Sequence, residues 1–218
     1  VLSWWPAAAA AAVAMNYGSR RGWYHAYFLP LIALEQERAD MAALGALDCL
    51  CLCVCGAGAC AAQLVARQSA PATSDVRREG SLASDPYAAY ADQNIARENV
   101  ASYPSSPSLS RASLLRGSTD AADAALARRG LLINLLCGDY VEACYPFLER
   151  DPTLDAATYV ASAVAGALAA GSQSSAYLPL PIAIVLADER AALAALVAFF
   201  LPFLVGAASN LYRKRKAS

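Results

Sequence analysis

The 26 residues from Met41 to Ala66 carry one charge, Asp48. At 1.5 Å per residue, a helix of that length spans a hydrocarbon layer of ~30 Å. Such a helix must be covered on every side, by lipid or by protein. A second stretch, Ala191 to Tyr212, has 22 residues and no charge, and lies between Arg190 and the run Arg213-Lys214-Arg215-Lys216. Pro202 is expected to kink it, because proline removes a backbone donor and crowds the preceding turn. The whole chain agrees with these two segments: it is 58% hydrophobic and 16% charged, with a mean hydropathy of +0.36. That balance belongs to an integral membrane protein. Ala supplies 52 of the residues and Arg 15 of the 17 bases, a bias that a GC-rich coding sequence would produce, so the Ala runs by themselves specify little.

A formal net charge of -1 gives no reason to expect nucleic acid as a partner. The only basic run follows directly on an apolar stretch, and is expected to anchor topology. Between Asp155 and Asp188 lie 32 uncharged residues, too many for one simple crossing. They are interrupted by Gly171-Ser172-Gln173-Ser174-Ser175, Pro179 and Pro181, which predicts a short helix from Ala156 to about Ala170 and then an irregular interfacial stretch. Val1 to Gly18 is likewise uncharged and barely long enough to span. Trp23, Tyr24, Tyr27 and Phe28 suit the headgroup layer, where amphipathic rings are favoured. A chain that opens at Val1 is compatible with removal of a targeting peptide.

The order of these pieces suggests an internal repeat. Glu37 to Leu47 matches Glu189 to Phe199 at seven of eleven positions, and upstream Gly18-Ser19 and Ala26-Tyr27-Phe28-Leu29-Pro30 align with Gly171-Ser172 and Ala176-Tyr177-Leu178-Pro179. Each repeat would hold a short Ala-rich helix, a Gly-Ser turn, an aromatic and proline-containing segment, Glu-Arg at the surface and a long spanning helix. Arg67 and the Arg213 to Lys216 run mark corresponding ends, which parallel repeats would place on one side.

Residues 67–130 are rich in Ala, Ser, Arg and Pro, with too few apolar side chains for a core of their own. They are expected to form a largely irregular connection, with one short helix between Asp85 and Val100, that gains its order from partner subunits. The next segment, residues 131–151, begins like a spanning helix but carries Asp139, Glu142 and Glu149. On a helical wheel these acids share one arc opposite Ile133, Cys137, Tyr140, Cys144 and Phe147. The expectation is an amphipathic helix lying along the membrane surface or against a partner.

The residue types restrict the chemistry. Cys49, Cys51, Cys53, Cys55 and Cys60 share one apolar segment, point to both sides of a helix and lack paired CxxC spacing, so they are expected to be buried, reduced thiols and not zinc ligands. A di-iron carboxylate site needs Glu-x-x-His pairs, and His25 is the only histidine. No nucleophile motif accompanies it, and no phosphate-binding glycine loop is present. His25, Asp48, Asn134 and Glu142 remain as side chains able to ligate a cofactor, with chlorophyll or carotenoid as the expected pigment.

The fold expected is an all-α integral membrane protein built from two parallel helical-hairpin repeats, about four membrane helices, joined by a long irregular connection and an amphipathic helix. Residues 1–66 form the first hairpin, 67–130 the connection, 131–151 the amphipathic helix, and 152–218 the second hairpin with its basic tail. The expected function is that of a non-enzymatic accessory or linker subunit of a large organellar membrane complex. Its partners would be other membrane subunits, lipids and pigments, in a thylakoid photosystem or antenna assembly before the mitochondrial inner membrane. The alternative is a small transporter or ion channel using Asp48, Asp139 and Glu142.

Overall fold

The computed structural model describes residues 4–38, 43–68, 109–136, 141–172, 182 and 188–217. Every regular element among them is helical. They are α1 (Trp5–Arg20), a π-helical turn (Tyr24–Phe28) that runs into α2 (Leu29–Arg38), α3 (Ala43–Leu47), a second π-helical turn (Asp48–Cys53) and α4 (Val54–Gln68). There follow α5 (Leu109–Leu136), a 3-10 turn (Val141–Cys144), α6 (Tyr145–Arg150), α7 (Pro152–Leu168) and α8 (Glu189–Ala217). Residues 1–69 and 126–218 form one compact unit; residues 70–125 form a second, described only along the helical stretch 109–125.

Among the described residues, two helices are long and apolar enough to cross a membrane, Ala43–Arg67 and Glu189–Lys216. They differ in their surroundings: 83% of the apolar window of the first is buried inside the protein, against 33% of that of the second. The run from α3 through α4 is therefore the centre of the unit, and its cysteines explain how it can be. Cys49, Cys51, Cys53, Cys55 and Cys60 are buried thiols outside any disulfide, on both sides of the helix, where they pack as small apolar groups. Helix α8 lies on its surface and turns Leu193, Leu196, Phe200, Leu204 and Leu211 outward.

Small residues set the helix directions. A Cβ on Gly58 would strike the Phe199 carbonyl and Pro202, and one on Gly206 would lie 2.8 Å from Ala62 Cβ. Further along, Lys214 Nζ donates to the Ala66 carbonyl. Contacts that advance together on both chains mean that α4 and α8 run parallel, with their basic ends at one end of the unit. Helix α7 runs the opposite way. It begins beside Arg213 and meets Gly206 through Leu154. Helix α1 is antiparallel to α7, since Arg20 pairs with Asp155 while a Cβ on Gly166 would lie 2.6 Å from Ala12 Cβ. Close backbone approach at small residues maximises dispersion contacts between the helices.

Charges complete the helix ends. Glu35 accepts hydrogen bonds from the Ala43 and Leu44 amides at 3.2 and 2.9 Å, and Asp188 accepts one from Ala191 at 2.8 Å. Each of the two long apolar helices thus starts at a carboxylate and ends at cations, the arrangement that its dipole favours. At α7, Asp151 accepts from the Thr153 and Leu154 amides while its Oδ1 lies 2.8 Å from Arg213 Nη2.

Several expectations are corrected here. The short helix of the second half begins at Pro152, a helix-starting position capped by Asp151, rather than at Ala156. In the proposed repeat, Gly18-Ser19 should occupy the turn, but both residues lie within α1, and Gly22 takes the left-handed conformation (φ 75°) that Gly171 (φ 84°) takes after α7. The short helices α1 and α7 run in opposite directions, whereas parallel repeats require the same direction. The repeat in sequence therefore corresponds to no repeat of the whole hairpin. The expected helix at Asp85–Val100 lies outside the described residues.

The segment 131–151 is not one helix. Helix α5 starts at Leu109, well inside the expected irregular connection, and continues to Leu136. Its Ala-rich middle, Ala121 to Ala127, favours helix intrinsically. It ends before Cys137-Gly138-Asp139-Tyr140, residues outside those described, and the chain resumes as the 3-10 turn and α6. Both arms pack on α4. A Cβ on Gly130 would lie 2.8 Å from Cys60 Sγ, and one on Gly56 would lie 3.4 Å from Asn134 Nδ2 and 3.2 Å from Val141 Cγ2. The Arg67 guanidinium then lies 6.0 Å from the Phe147 ring. The chain climbs α4 from Cys60 to Gly56 and returns to Arg67, a re-entrant hairpin. Glu142 and Glu149 accordingly sit on separate elements of its returning arm.

Candidate functional site

The two π-helical turns meet at a buried hydrogen bond. Gly22 reverses the chain after α1, so that Tyr24 enters the interior. Its hydroxyl donates to Asp48 Oδ2 at 2.9 Å. Asp48 is 1% exposed and opens the wide turn Asp48–Cys53 within the first of the two long apolar helices. A carboxylate taken out of water is costly unless polar groups face it, and π-helical bulges are recurrent at functional sites because they redirect one side chain out of the helical repeat. Here the redirected group is an acid and its partner a phenol.

His25 follows Tyr24 and points to the surface, where its Nε2 lies 3.8 Å from Glu142 Oε1. The His25 and Tyr24 rings meet edge to face with centroids 5.4 Å apart. Two of the four residues singled out from sequence, His25 and Glu142, are therefore brought together, and Asp48 is joined to the same region through Tyr24. Asn134 belongs to α5 and is buried elsewhere, against Gly56 of α4 in the re-entrant hairpin. Asp139 lies outside the described residues. For a pigment metal, His25 is the one imidazole, and its Nε2 already faces a carboxylate. Among the described residues, no group of three or more His, Cys, Asp or Glu side chains is disposed to hold a metal ion.

A second polar cluster joins α1 to α7. Asn16 Nδ2 donates to the Thr158 carbonyl at 3.2 Å and to Ser162 Oγ at 2.7 Å, and Ser19 Oγ donates to the Asn16 carbonyl at 2.8 Å. Arg20 donates to Thr158 Oγ1 at 2.6 Å and forms an ion pair with Asp155. Cys55 Sγ of α4 lies 3.7 Å from Ser162 Oγ. None of these residues was singled out from sequence as a candidate for binding or chemistry. Their signal was spacing: Asn16, Ser19 and Arg20 fall at i, i+3 and i+4, and Asp155, Thr158 and Ser162 at i, i+3 and i+7, so each trio shares a face.

Beyond Arg20 a small cavity of about 100 Å³ is lined by Arg20, Tyr145, Leu148, Glu149 and Asp155. Burial pushes the Tyr145 phenol above its ordinary range, with Glu142 adding to the rise and Ser19 opposing it. Burial likewise holds the neighbouring Cys144 thiol well above its usual range. Groups so shifted remain neutral at physiological pH. Chemically the ensemble offers a buried acid–phenol pair, a surface imidazole–carboxylate pair and a neutral polar seam between helices. No family model, curated protein or solved structure matches the chain.

Proposed function

We propose that this protein is a non-enzymatic accessory or linker subunit of a large membrane assembly, embedded through four helices: α1, the run from α3 through α4, α7 and α8. The observation that carries this reading is the outer face of α8. Leu193, Leu196, Phe200, Leu204 and Leu211 form a continuous exposed apolar row on a helix long enough to span, a surface made for lipid or for another subunit's helix. Helices α1 and α7, of 16 and 17 residues, lie beside the two spans and share their layer. The polar side chains support a structural use, because Asp48 meets Tyr24, His25 meets Glu142 and Asn16 meets Ser162.

A tagged full-length chain solubilised in mild detergent is expected to migrate with a large assembly on native gels. Replacing Leu196, Phe200 and Leu204 with serine should release it while leaving its helix content intact. Migration of the unmodified chain as a free monomer under conditions that preserve known assemblies would overturn the reading. The thylakoid version adds chlorophyll or carotenoid held by His25, Asp48, Asn134 or Glu142, in which case a metal on His25 displaces Glu142. The native assembly should then absorb in the chlorophyll region, and an absorption spectrum lacking it removes that version.

One observation favours a transporter or channel. Non-helical backbone at membrane depth is tolerated where protein or a water-filled cavity covers it, and the re-entrant hairpin brings Asn134 to Gly56, near the middle of the first span. Ion flux in liposomes that is lost in Asp139→Asn and Glu142→Gln, with the assembly intact, would establish this reading over the first.

A further inference from the structure

Helices α1 and α7 leave an open groove of about 680 Å³, lined by Ala10, Val13, Ala14, Tyr17, Tyr159 and Ala163. The volume lies within the ~300–1,000 Å³ usual for small-molecule sites. Its walls are alanine and valine along most of their length, because the residues of α1 that face outward here, Ala10 and Ala14, are small. At one end the character changes. Tyr17 and Tyr159 close the groove, and each carries an arginine on its ring: Arg21 lies 4.8 Å from the Tyr17 centroid and Arg20 lies 4.4 Å from that of Tyr159. Asp155 neutralises Arg20. Arg21 is exposed and has no carboxylate partner among the described residues, so the mouth of the groove keeps one positive charge. Trp23, half exposed, meets Tyr17 edge to face at 5.8 Å, an amphipathic ring of the kind favoured at the headgroup layer.

We propose that this groove binds one anionic phospholipid, with an acyl chain lying between α1 and α7 and the phosphate on Arg21. An uncharged apolar trough ending in an unneutralised cation at the interface complements a molecule with a long apolar chain and an anionic head. A neutral partner helix would leave Arg21 unanswered, and a zwitterionic lipid would gain less from it. The inference rests on the membrane reading above.

Trp23 supplies the readout. In a full-length Trp4→Phe, Trp5→Phe background reconstituted in phosphatidylcholine, phosphatidylglycerol brominated near the carboxyl end of its chain is expected to quench Trp23 more than brominated phosphatidylcholine at equal mole fraction. Arg21→Ala should weaken the phosphatidylglycerol response about fivefold, the factor that ~1 kcal/mol per interfacial cation represents. Ala14→Phe, at an exposed position where the ring fills the groove, should abolish the preference. Equal quenching by the two lipids, or a preference that survives either substitution, would overturn the proposal. Loss of a co-purifying protein chain in Ala14→Phe with lipid preference intact would assign the groove to a partner helix instead. Failure of the membrane reading looks different: a chain that stays in the aqueous phase without detergent and is quenched by neither lipid.

Discussion

Asp48 is the residue on which the interior depends most directly. Tyr24→Phe removes the donor that faces its Oδ2 while leaving the carboxylate buried, and loss of one such bond costs about 1–3 kcal/mol. Thermal unfolding in detergent should show the Tyr24→Phe variant destabilised by that amount, and Asp48→Asn, which keeps an acceptor for the phenol and removes the buried charge, affected less. Cys144 allows a second test. Its thiol is held above the ordinary range by burial first and by neighbouring thiols second, so little thiolate exists at pH 8. In a Cys137→Ser background, iodoacetamide at pH 8 should leave Cys144 unmodified in the folded protein and alkylate it in SDS, as read by peptide mass. Labelling at the same rate in both conditions would mean that the returning arm of the re-entrant hairpin does not pack as described.

Among the elements, α7 is the one that other helices use as a common wall, and its start is a single residue. Asp151 caps the helix through the Thr153 and Leu154 amides and holds Arg213 of α8 with the same oxygen. Two substitutions separate these roles. Asp151→Asn keeps a good cap and loses the ion pair, whereas Asp151→Ala loses both, and the cap alone is worth about 0.5–2 kcal/mol. The alanine variant should therefore unfold at a clearly lower temperature than the asparagine variant, with Asp151→Asn closer to the unmodified protein because Arg213 is half exposed and its pairing is partly screened. Equal losses in the two variants would place the whole effect in the ion pair. The glycines of α4 belong to the same scale. Gly56 and Gly58 lie two residues apart, and one receives the re-entrant hairpin while the other receives α8, so opposite sides of one helix are kept free of side chains for two different neighbours.

For the whole molecule, the parallel course of α4 and α8 makes a topological prediction. A tag inserted after residue 69 and a tag at the C-terminus should be reached by protease or by a membrane-impermeant label from the same side of the membrane, because Lys214 lies on the last carbonyls of α4. Opposite accessibility would contradict the arrangement. Much of this was legible in the sequence. The helical class, the two long apolar segments, the buried thiols and the matched basic ends all follow from local composition, because a charge-free stretch of more than twenty residues has few ways to satisfy its backbone other than as a covered helix. The direction of α1 and α7 was not legible, since direction is set by which small residues allow two backbones to approach, and Gly166 against Ala8 and Ala12 is a contact between residues far apart in the chain. The same holds for the candidate site. Residue type alone marked His25, Asp48, Asn134 and Glu142, but only tertiary packing could join His25 to Glu142, give Asp48 its phenol, and fold residues 131–151 back on themselves against α4. Sequence sets what each segment must bury; the choice of what buries it is made by contacts between helices, which no local pattern contains.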